Sequence, residues 1–451
     1  MIPEGFKDRM KKALGEDYPA FIAAIEDGEA VRGMRINLLK TGDSTDIPYP
    51  TTRLDYLENG FILNTPDRMG QDPLHHCGAI YMQDPGAMAT AAAIDIEPHW
   101  WVADLCAAPG GKSSQIAERL TEGFLLSNEY VPKRAKILVG NLERMGVARA
   151  IVTSLDTDEL AKLYDGAFDL VVADAPCSGE GMFRKSSEAL EEWSEGNVAL
   201  CAERQTRILE NAVKLVRSGG YLLYSTCTYS LEENEMQVRK LLQEHGELTL
   251  VPVKGKIAAN TADGIDFTEG ECPELKLCRR FYPHVSPGEG QFIALFKKNG
   301  VSAKKQSILY NDASAVPSKA ELAAYEGFVK ESLTERPAGR LARLGERLVI
   351  LPEGVTVPPR SVFSAGVLLG EIKGSTVIPS HHFYSCFGKI FKNTINLTRG
   401  DTLLEKYLRG EEIPTDKRGY CAVLFEGAPL GGGKASGGAL KNHYPKGLRN
   451  K

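Results

Sequence analysis

Hydrophobic side chains change their spacing near residue 79. Before that point they recur with helical spacing over residues 6–14 and 21–26, and they form strand-like runs over residues 33–39 and 61–63. This mixture predicts a small α+β domain over residues 1–78.

Between residues 79 and 300, short apolar runs alternate with longer amphipathic segments. The runs predict strands at residues 102–105, 124–127, 150–153, 168–173, 221–225 and 290–296, and the longer segments predict helices at residues 112–120, 132–145, 199–216 and 232–245. Strands that are regularly followed by helices indicate an α/β domain with a parallel, doubly wound sheet. Because ligands bind such a sheet at the carboxyl ends of its strands, we expect the functional residues there.

The last third of the chain is less regular. Residues 297–305 are polar and rich in lysine, as in a linker. Short apolar runs then predict a middle domain at residues 312–375 and a last domain at residues 380–451, which contains a cluster of glycines.

Composition restricts where such a protein works. The 451 residues are 43% hydrophobic and 25% charged, with a mean hydropathy of −0.22, as in a globular protein of several domains. The start of the chain does not resemble a signal peptide, and no run of about 18 apolar residues occurs. Nine cysteines without disulfide-framework or zinc spacing fit a reducing compartment. We therefore expect a cytoplasmic protein with no membrane partner and no metal.

Charge is distributed unevenly along the chain. The net charge is −5, but residues 301–451 carry 22 Lys and Arg against 14 Asp and Glu, a balance of +8, whereas residues 1–300 carry 32 against 45, a balance of −13. A basic C-terminal part fits a surface that contacts phosphate groups, although a solvated tail explains it equally well.

A glycine-rich turn joins the first predicted strand of the sheet to the next helix. Glycines let the backbone approach a ligand closely, and the start of a helix offers unpaired N–H groups. The loop spacings of dinucleotide-binding proteins and of P-loop ATPases are both missing, which counts against NAD and ATP. A purely structural turn is the other interpretation. The residues of the turn are Cys106, Ala107, Ala108, Pro109, Gly110, Gly111 and Lys112.

Two acidic residues follow the next two predicted strands. Glu129 ends the second strand, where a carboxylate can accept both hydroxyls of a ribose, and Asp156 follows the third, within reach of an adenine. Either could instead cap a helix, and Asp158 is nearly as well placed as Asp156. Glu129 together with the glycine-rich turn favours a nucleoside cofactor.

Two cysteines follow the fourth and fifth strands, Cys177 after Asp174 and Cys227 after Thr226. A lone cysteine at a strand end is usually a small buried hydrophobic residue, but two at neighbouring strand ends indicate chemistry. A thiolate that adds to C6 of cytosine makes C5 nucleophilic enough to take a methyl group, and Asp174 near N3 would stabilise the charge on the ring. The residues alone do not assign separate roles to the two thiols.

Four motifs resemble those of one enzyme family. They are DLCAAPGGKS at residues 104–113, DAPCSGEG at 174–181, YSTCTYS at 224–230 and RRFYPHVSPGEGQFIALFK at 279–297, preceded by RIN at 35–37 and YMQDP at 81–85. Over residues 30–300 the chain thereby resembles the Nol/Nop/Sun family of RNA 5-methylcytosine methyltransferases.

The resemblance implies a Rossmann-like domain that binds S-adenosylmethionine through residues 106–112, Glu129, Asp156 and Asp174. It also implies that Cys227 is the nucleophile and that Cys177 assists product release. DNA cytosine methyltransferases attack from the cysteine that follows proline, which keeps the reverse assignment open.

The N-terminal domain, the middle domain and the basic tail are similar to a bacterial subfamily that acts on 16S ribosomal RNA and ends in a PUA-like RNA-binding domain. The basic balance of residues 301–451 agrees with RNA binding. We therefore expect 16S rRNA as the partner of a monomer, with no DNA partner and with the target cytosine flipped out of its helix. The alternatives are a transfer RNA cytosine-C5 methyltransferase and a ribosome-assembly factor that binds RNA without catalysis.

Overall fold

The computed structural model describes residues 2–26, 28–42, 47–65, 69–301 and 310–450. These residues form four β-sheets, and none of the helices within these ranges is long and apolar enough to cross a membrane. Residues 302–305 of the predicted linker lie outside the described residues.

The N-terminal domain contains a four-stranded antiparallel sheet in the order β2-β3-β1-β4. The predicted strand at residues 33–39 ends at Ile36, because Asn37 caps the next helix and accepts a hydrogen bond from the Leu39 amide at 3.1 Å. The last strand lies past the predicted domain boundary at residue 78. The elements are α1 (Glu4–Leu14), α2 (Tyr18–Glu26), β1 (Gly33–Ile36), α3 (Leu38–Thr41), β2 (Thr51–Leu54), β3 (Leu57–Leu63), α4 (Pro73–His76) and β4 (Ile80–Met82).

The first two helices pack against the following domain. Phe6 of α1 lies edge-on to Phe183 with ring centroids 5.0 Å apart, and Phe21 of α2 lies edge-on to Tyr229 at the same distance. Since Tyr229 is two residues from Cys227, these helices support the loop that carries one of the two cysteines.

The predicted α/β domain with a parallel, doubly wound sheet is confirmed. Strands β5 to β9 are parallel and their side chains are almost all buried, as expected for strands covered by helices on both faces. β13 is antiparallel to β9. The strands are β5 (Trp101–Asp104), β6 (Phe124–Asn128), β7 (Ala150–Thr153), β8 (Phe168–Asp174), β9 (Val216–Thr226), β10 (Leu248–Val251), β11 (Ala262–Asp263), β12 (Arg279–Phe281) and β13 (Gln291–Lys298).

The helices between these strands follow the predicted pattern with shifted ends. The helix predicted at residues 199–216 begins earlier, because the Ser194 side chain caps it by accepting from the Asn197 amide at 3.1 Å. The helices are α5 (Pro85–Ala92), α6 (Gly111–Ala117), α7 (Pro132–Arg144), α8 (Thr157–Leu163), α9 (Ser187–Glu192), α10 (Glu195–Leu215), α11 (Glu235–Glu244) and α12 (Gly255–Ala259).

The C-terminal part forms two further sheets, in the orders β14-β15-β17-β18 and β19-β21-β22-β23-β20. One of its strands, β16, pairs with β7 and so extends the large sheet, although it belongs to the predicted middle domain. The division of the chain into four domains stays a prediction. The elements are α13 (Lys319–Ser332), β14 (Arg340–Leu344), β15 (Arg347–Leu351), β16 (Val362–Ala365), β17 (Val367–Lys373), β18 (Thr376–Pro379), α14 (His381–Phe387), β19 (Thr394–Leu397), α15 (Thr402–Arg409), β20 (Ile413–Pro414), β21 (Gly419–Phe425), β22 (Ala428–Ser436) and β23 (Ala439–Asn442).

A buried lysine ties the N-terminal domain to the C-terminal part. Lys40 donates hydrogen bonds to the carbonyl and hydroxyl oxygens of Ser385, both at 2.6 Å, and to the Pro429 carbonyl at 3.0 Å. Burial lowers the pKa of Lys40 to about 8. Because all three acceptors lie on the C-terminal part, this side chain helps to join the two ends of the chain, together with the ion pair between Arg399 and Asp72.

Candidate active site

The carboxyl ends of β5, β6, β8 and β9 lie along one edge of the large sheet. The residues singled out from the sequence follow these ends: the glycine-rich turn after β5, Glu129 after β6, and the two cysteines after β8 and β9. β13 runs in the opposite direction, so its first residue, Gln291, lies at the same edge, next to the pairing of Phe292 with Thr226. The edge therefore collects side chains from five strands.

Cys177 and Cys227 face each other across this edge. Both are half-buried, and their Sγ atoms are 3.3 Å apart. The hydrogen bond with Cys227, together with burial, raises the pKa of the Cys177 thiol well above its usual range. Cys177 therefore keeps its proton at neutral pH and can donate it in a hydrogen bond to the Cys227 sulfur.

Asp174 lies at the end of β8 between three polar side chains. Lys112 Nζ donates to its Oδ2 at 2.7 Å, Ser225 Oγ donates to its Oδ1 at 2.7 Å, and Gln291 Nε2 approaches Oδ1 at 3.5 Å. Burial opposes the charge on Lys112, but the attraction of Asp174, with a smaller contribution from Cys227, raises its pKa. The site thus holds a fixed cation and a carboxylate beside the thiols. Gln291 lies inside a quoted motif, and its polar side chain at the start of an apolar run is the signal that could have found it.

A cavity of about 450 Å³ opens beside β6 and β7. Cys106, Glu129 and Asp156 line it, together with exposed Tyr130 and buried Ile208, whereas residues 107–112 are not part of this lining and Asp158 faces elsewhere. The cavity is large enough for a nucleoside and lies next to the glycine-rich turn.

The two acidic residues of this cavity have different surroundings. Glu129 is buried; its Oε1 accepts from the Val131 amide at 2.9 Å, while Oε2 has no hydrogen-bond partner among the described residues, although Arg134 Nη1 lies 3.4 Å away as an ion pair. Asp156 caps α8 by accepting from the Asp158 amide at 3.0 Å and pairs with Arg207. The capping role that the sequence left open for Asp156 is therefore present, and its position on the cavity wall is compatible with ligand contact as well.

The N-terminal domain holds the glycine-rich turn and α6 in place. Buried Arg35 pairs with Glu118 and donates to Ser114 Oγ at 2.8 Å. From the other side, Arg134 and Asn141 of α7 donate to the carbonyls of Ala108 and Pro109 at 2.9 and 2.8 Å. Gly110 is the cap before α6 and has a φ of 111°, which glycine adopts at no steric cost.

This fold and site define a Rossmann-like methyltransferase, and the family models add a PUA domain. Residues 91–297 match the family model described as 16S rRNA methyltransferase RsmB/F, residues 2–85 match the N-terminal domain of 16S rRNA methyltransferase RsmF, and residues 393–450 match the methyltransferase RsmF PUA domain.

Individual relatives agree with the family models. The ribosomal RNA small subunit methyltransferase F of Klebsiella pneumoniae (strain 342) is 29% identical over 99% of this chain and 96% of its own, and that of Vibrio vulnificus (strain YJ016) is 28% identical over 99% and 97%. The crystal structure of a methyltransferase homolog from Pyrococcus horikoshii is 28% identical, with a TM-score of 0.57 over 66% of this chain and 95% of that one. The chain belongs to the RsmB/F family of methyltransferases.

Proposed function

We propose that this protein transfers a methyl group from S-adenosylmethionine to C5 of a cytosine in 16S ribosomal RNA, through a covalent bond between Cys227 and C6 of the base. The observation that carries the proposal is the pair of thiols 3.3 Å apart, next to the Asp174 and Lys112 ion pair. The names of the relatives support 16S rRNA as the substrate.

The chemistry requires a thiolate and a stabilised ring. The Cys227 thiol first gives its proton to solvent. Its sulfur then adds to C6, and the electron pair of the C5–C6 double bond makes C5 nucleophilic. Negative charge spreads over the ring at the same time; Lys112 offers a cation close to Cys227 to stabilise it, and Asp174 holds that cation in place. The resemblance to the family assigns the attack to Cys227, whose sulfur lies 3.3 Å from that of Cys177.

Product release requires two further events. A base, for which solvent water is available, accepts the proton from methylated C5, and the bond between C6 and the Cys227 sulfur breaks as the ring double bond returns. The Cys177 S–H group can donate a hydrogen bond to the departing sulfur, which stabilises it as a thiolate. The two cysteines thereby have unequal roles.

The residues around the cavity fit S-adenosylmethionine. When bound, this cofactor supplies the methyl group from its sulfonium centre. Glu129 Oε2 is a buried acceptor that lacks a hydrogen-bond partner among the described residues, as expected for a group that binds ribose hydroxyls. Asp156 lines the same cavity, and we assign it to the adenine end of the cofactor, as the family resemblance implies.

We expect Glu129→Gln to weaken S-adenosylmethionine binding about tenfold or more, because a charged acceptor of two hydroxyl groups becomes a neutral amide. Isothermal calorimetry of the purified protein measures the dissociation constant without any turnover. Exposed Glu122→Gln is the matched control and leaves the constant unchanged. Equal affinity of the Glu129 variant and the wild type would contradict the assigned role of Glu129.

The proposed function is tested by mapping the methylated nucleotide. Cells that lack the gene are complemented with the wild-type chain or with Cys227→Ala, and their 16S and transfer RNAs are sequenced after bisulfite treatment. We expect one or more 16S cytosines to be protected from conversion only with the wild-type chain. Loss of a mark from transfer RNA instead would favour the alternative substrate, and no change in any RNA would favour a non-catalytic assembly factor.

A further inference from the structure

Four oxygen-bearing side chains form a continuous row behind the two cysteines. Ser178 and Thr228, which directly follow the two cysteines, lie with their hydroxyl oxygens 2.9 Å apart. Ser178 Oγ also contacts Oε1 of Glu233, and Thr228 Oγ1 lies 2.9 Å from Oε2 of Glu180. All four side chains are buried. We call the row of Glu233, Ser178, Thr228 and Glu180 the clasp, since it joins the two cysteine loops.

The clasp has more oxygen–oxygen contacts than its hydroxyl groups have hydrogens. Three oxygen–oxygen contacts require three hydrogens, whereas Ser178 and Thr228 provide one each. With both carboxyl groups ionised, one contact would bring two oxygens together without a hydrogen between them. One of the two glutamates must therefore carry the third proton.

The other contacts of the glutamates decide which one carries it. Glu180 accepts at both oxygens, from Trp193 Nε1 at 2.9 Å and from the Tyr229 amide at 3.0 Å. Glu233 accepts only at Oε2, from the Ser178 amide and from Gln205 Nε2, both at 2.9 Å.

Oε1 of Glu233 thus faces nothing but the Ser178 hydroxyl among the described residues, and it is free to hold a proton. The hydrogens then run in one direction, from Glu233 to Ser178, from Ser178 to Thr228 and from Thr228 to Glu180.

We propose that Glu233 is protonated in the working enzyme and is a positioning residue, which holds the Cys177 and Cys227 loops together through the clasp. The proposal builds on the proposed function, because it takes both thiols to act on one base. Glu233 itself touches neither the substrate nor the cofactor in this mechanism.

The charges around the clasp agree with this assignment. Burial raises the pKa of both glutamates above the ordinary carboxyl range. Arg9 counteracts this at Glu180, whereas Glu180 itself further raises the pKa of Glu233. The remaining titratable groups that face the pair are Cys177, Cys201 and Tyr224 near Glu233 and Tyr229 near Glu180.

Raising the pH should open the clasp. Once Glu233 loses its proton, both hydroxyls donate to carboxylates, because bonds to charged acceptors are the stronger ones. The contact between Ser178 and Thr228 then lacks a hydrogen and the two loops separate. Since the protonated form is the working one, this contribution to activity is lost as the pH rises through the raised pKa of Glu233.

Substitution by glutamine distinguishes the roles of the two carboxyl groups. In Glu233→Gln the amide nitrogen donates permanently to Ser178 and the amide oxygen keeps both of its donors. We expect this variant to stay within about threefold of wild-type methyl transfer at neutral pH, since each hydrogen bond is replaced by an equivalent one. We also expect it to lose the part of the decline with rising pH that Glu233 causes in the wild type.

Glu180→Gln is expected to behave in the opposite way. Both oxygens of Glu180 accept from N–H donors, so in the variant the NH₂ group of the glutamine faces the N–H group of either Trp193 or Tyr229 and one of these hydrogen bonds is lost. We therefore expect methyl transfer to fall about tenfold or more. Exposed Glu203→Gln, on α10, is the control and should match the wild type at every pH.

Infrared spectra provide a readout that does not depend on activity. In the difference spectrum against Glu233→Gln, the wild type and Glu203→Gln should show the carbonyl band of one buried protonated carboxyl group. The contributions of Asp104 and Glu143, whose pKa burial raises to about 7, cancel in this difference. Absence of the band from the wild type, or a Glu233→Gln variant that folds but is less active than Glu180→Gln, would overturn the proposal. If the wild type formed no covalent adduct with 5-fluorocytosine RNA, the proposed function would fail instead, whatever the spectra show.

Discussion

Cys227→Ala is expected to reduce methyl transfer by at least about 10⁴-fold, because removal of a catalytic nucleophile leaves only binding and electrostatic stabilisation. Without a sulfur at C6, C5 of the cytosine is too weakly nucleophilic to take a methyl group. The same variant should form no covalent adduct with RNA that contains 5-fluorocytosine, which traps the bond between sulfur and C6. Transfer of radiolabelled methyl groups measures the first effect, and denaturing gel electrophoresis measures the second.

A control separates loss of the nucleophile from damage to the fold. Cys272 is another half-buried cysteine, and it lies outside the strand-end site. We expect Cys272→Ala to retain both turnover and adduct formation. The thermal unfolding midpoint of Cys227→Ala should stay close to that of the wild type, since the substitution removes one half-buried sulfur atom. A Cys227→Ala protein that still formed the adduct would exclude Cys227 as the attacking group.

Cys177→Ala is expected to remain bound to its RNA as a covalent adduct, without any need for 5-fluorocytosine. The variant keeps the Cys227 sulfur and the pair of Asp174 and Lys112, so attack and methylation proceed. It lacks the S–H group 3.3 Å from the Cys227 sulfur, and we expect release to slow by about 100-fold or more, as when a general acid is removed. A protein–RNA band that resists denaturation, and that disappears on digestion with ribonuclease, measures the trapped species.

The double variant Cys177→Ala with Cys227→Ala completes this comparison. We expect it to form no adduct, because the sulfur that attacks is missing. If Cys227→Ala rather than Cys177→Ala accumulated on RNA, the assignment of the two cysteines would be reversed. The family resemblance argues against this outcome, because it implies that the cysteine following threonine, Cys227, is the nucleophile.

The order of strands and helices in the large sheet could be predicted from the sequence because each strand is an apolar run bounded by polar turns. The strand predicted at residues 150–153 coincides with β7, and the prediction for β8 differs from the structure by one residue. The predictions were weaker where one polar side chain decides the end of an element. Asn37 shortens β1 and Ser194 lengthens α10, because a capping hydrogen bond outweighs the apolar pattern there. The pairing of β16 with β7 joins segments about 200 residues apart, and no local pattern signals it.

The sequence by itself determined that the glycine-rich turn, Glu129 and the two cysteines reach the carboxyl edge of the large sheet, because parallel strands deliver whatever follows them to the same side. Gln291 of the antiparallel β13 was missed. Only the tertiary structure decided which of these side chains touch. The distance between the two sulfur atoms, the pairing of Lys112 with Asp174 and the contact of Ser178 with Thr228 each join residues at least 50 positions apart. Such contacts depend on how neighbouring strands and their loops pack, and the proton on Glu233 follows from that packing, since only the assembled row of oxygens has one contact too many.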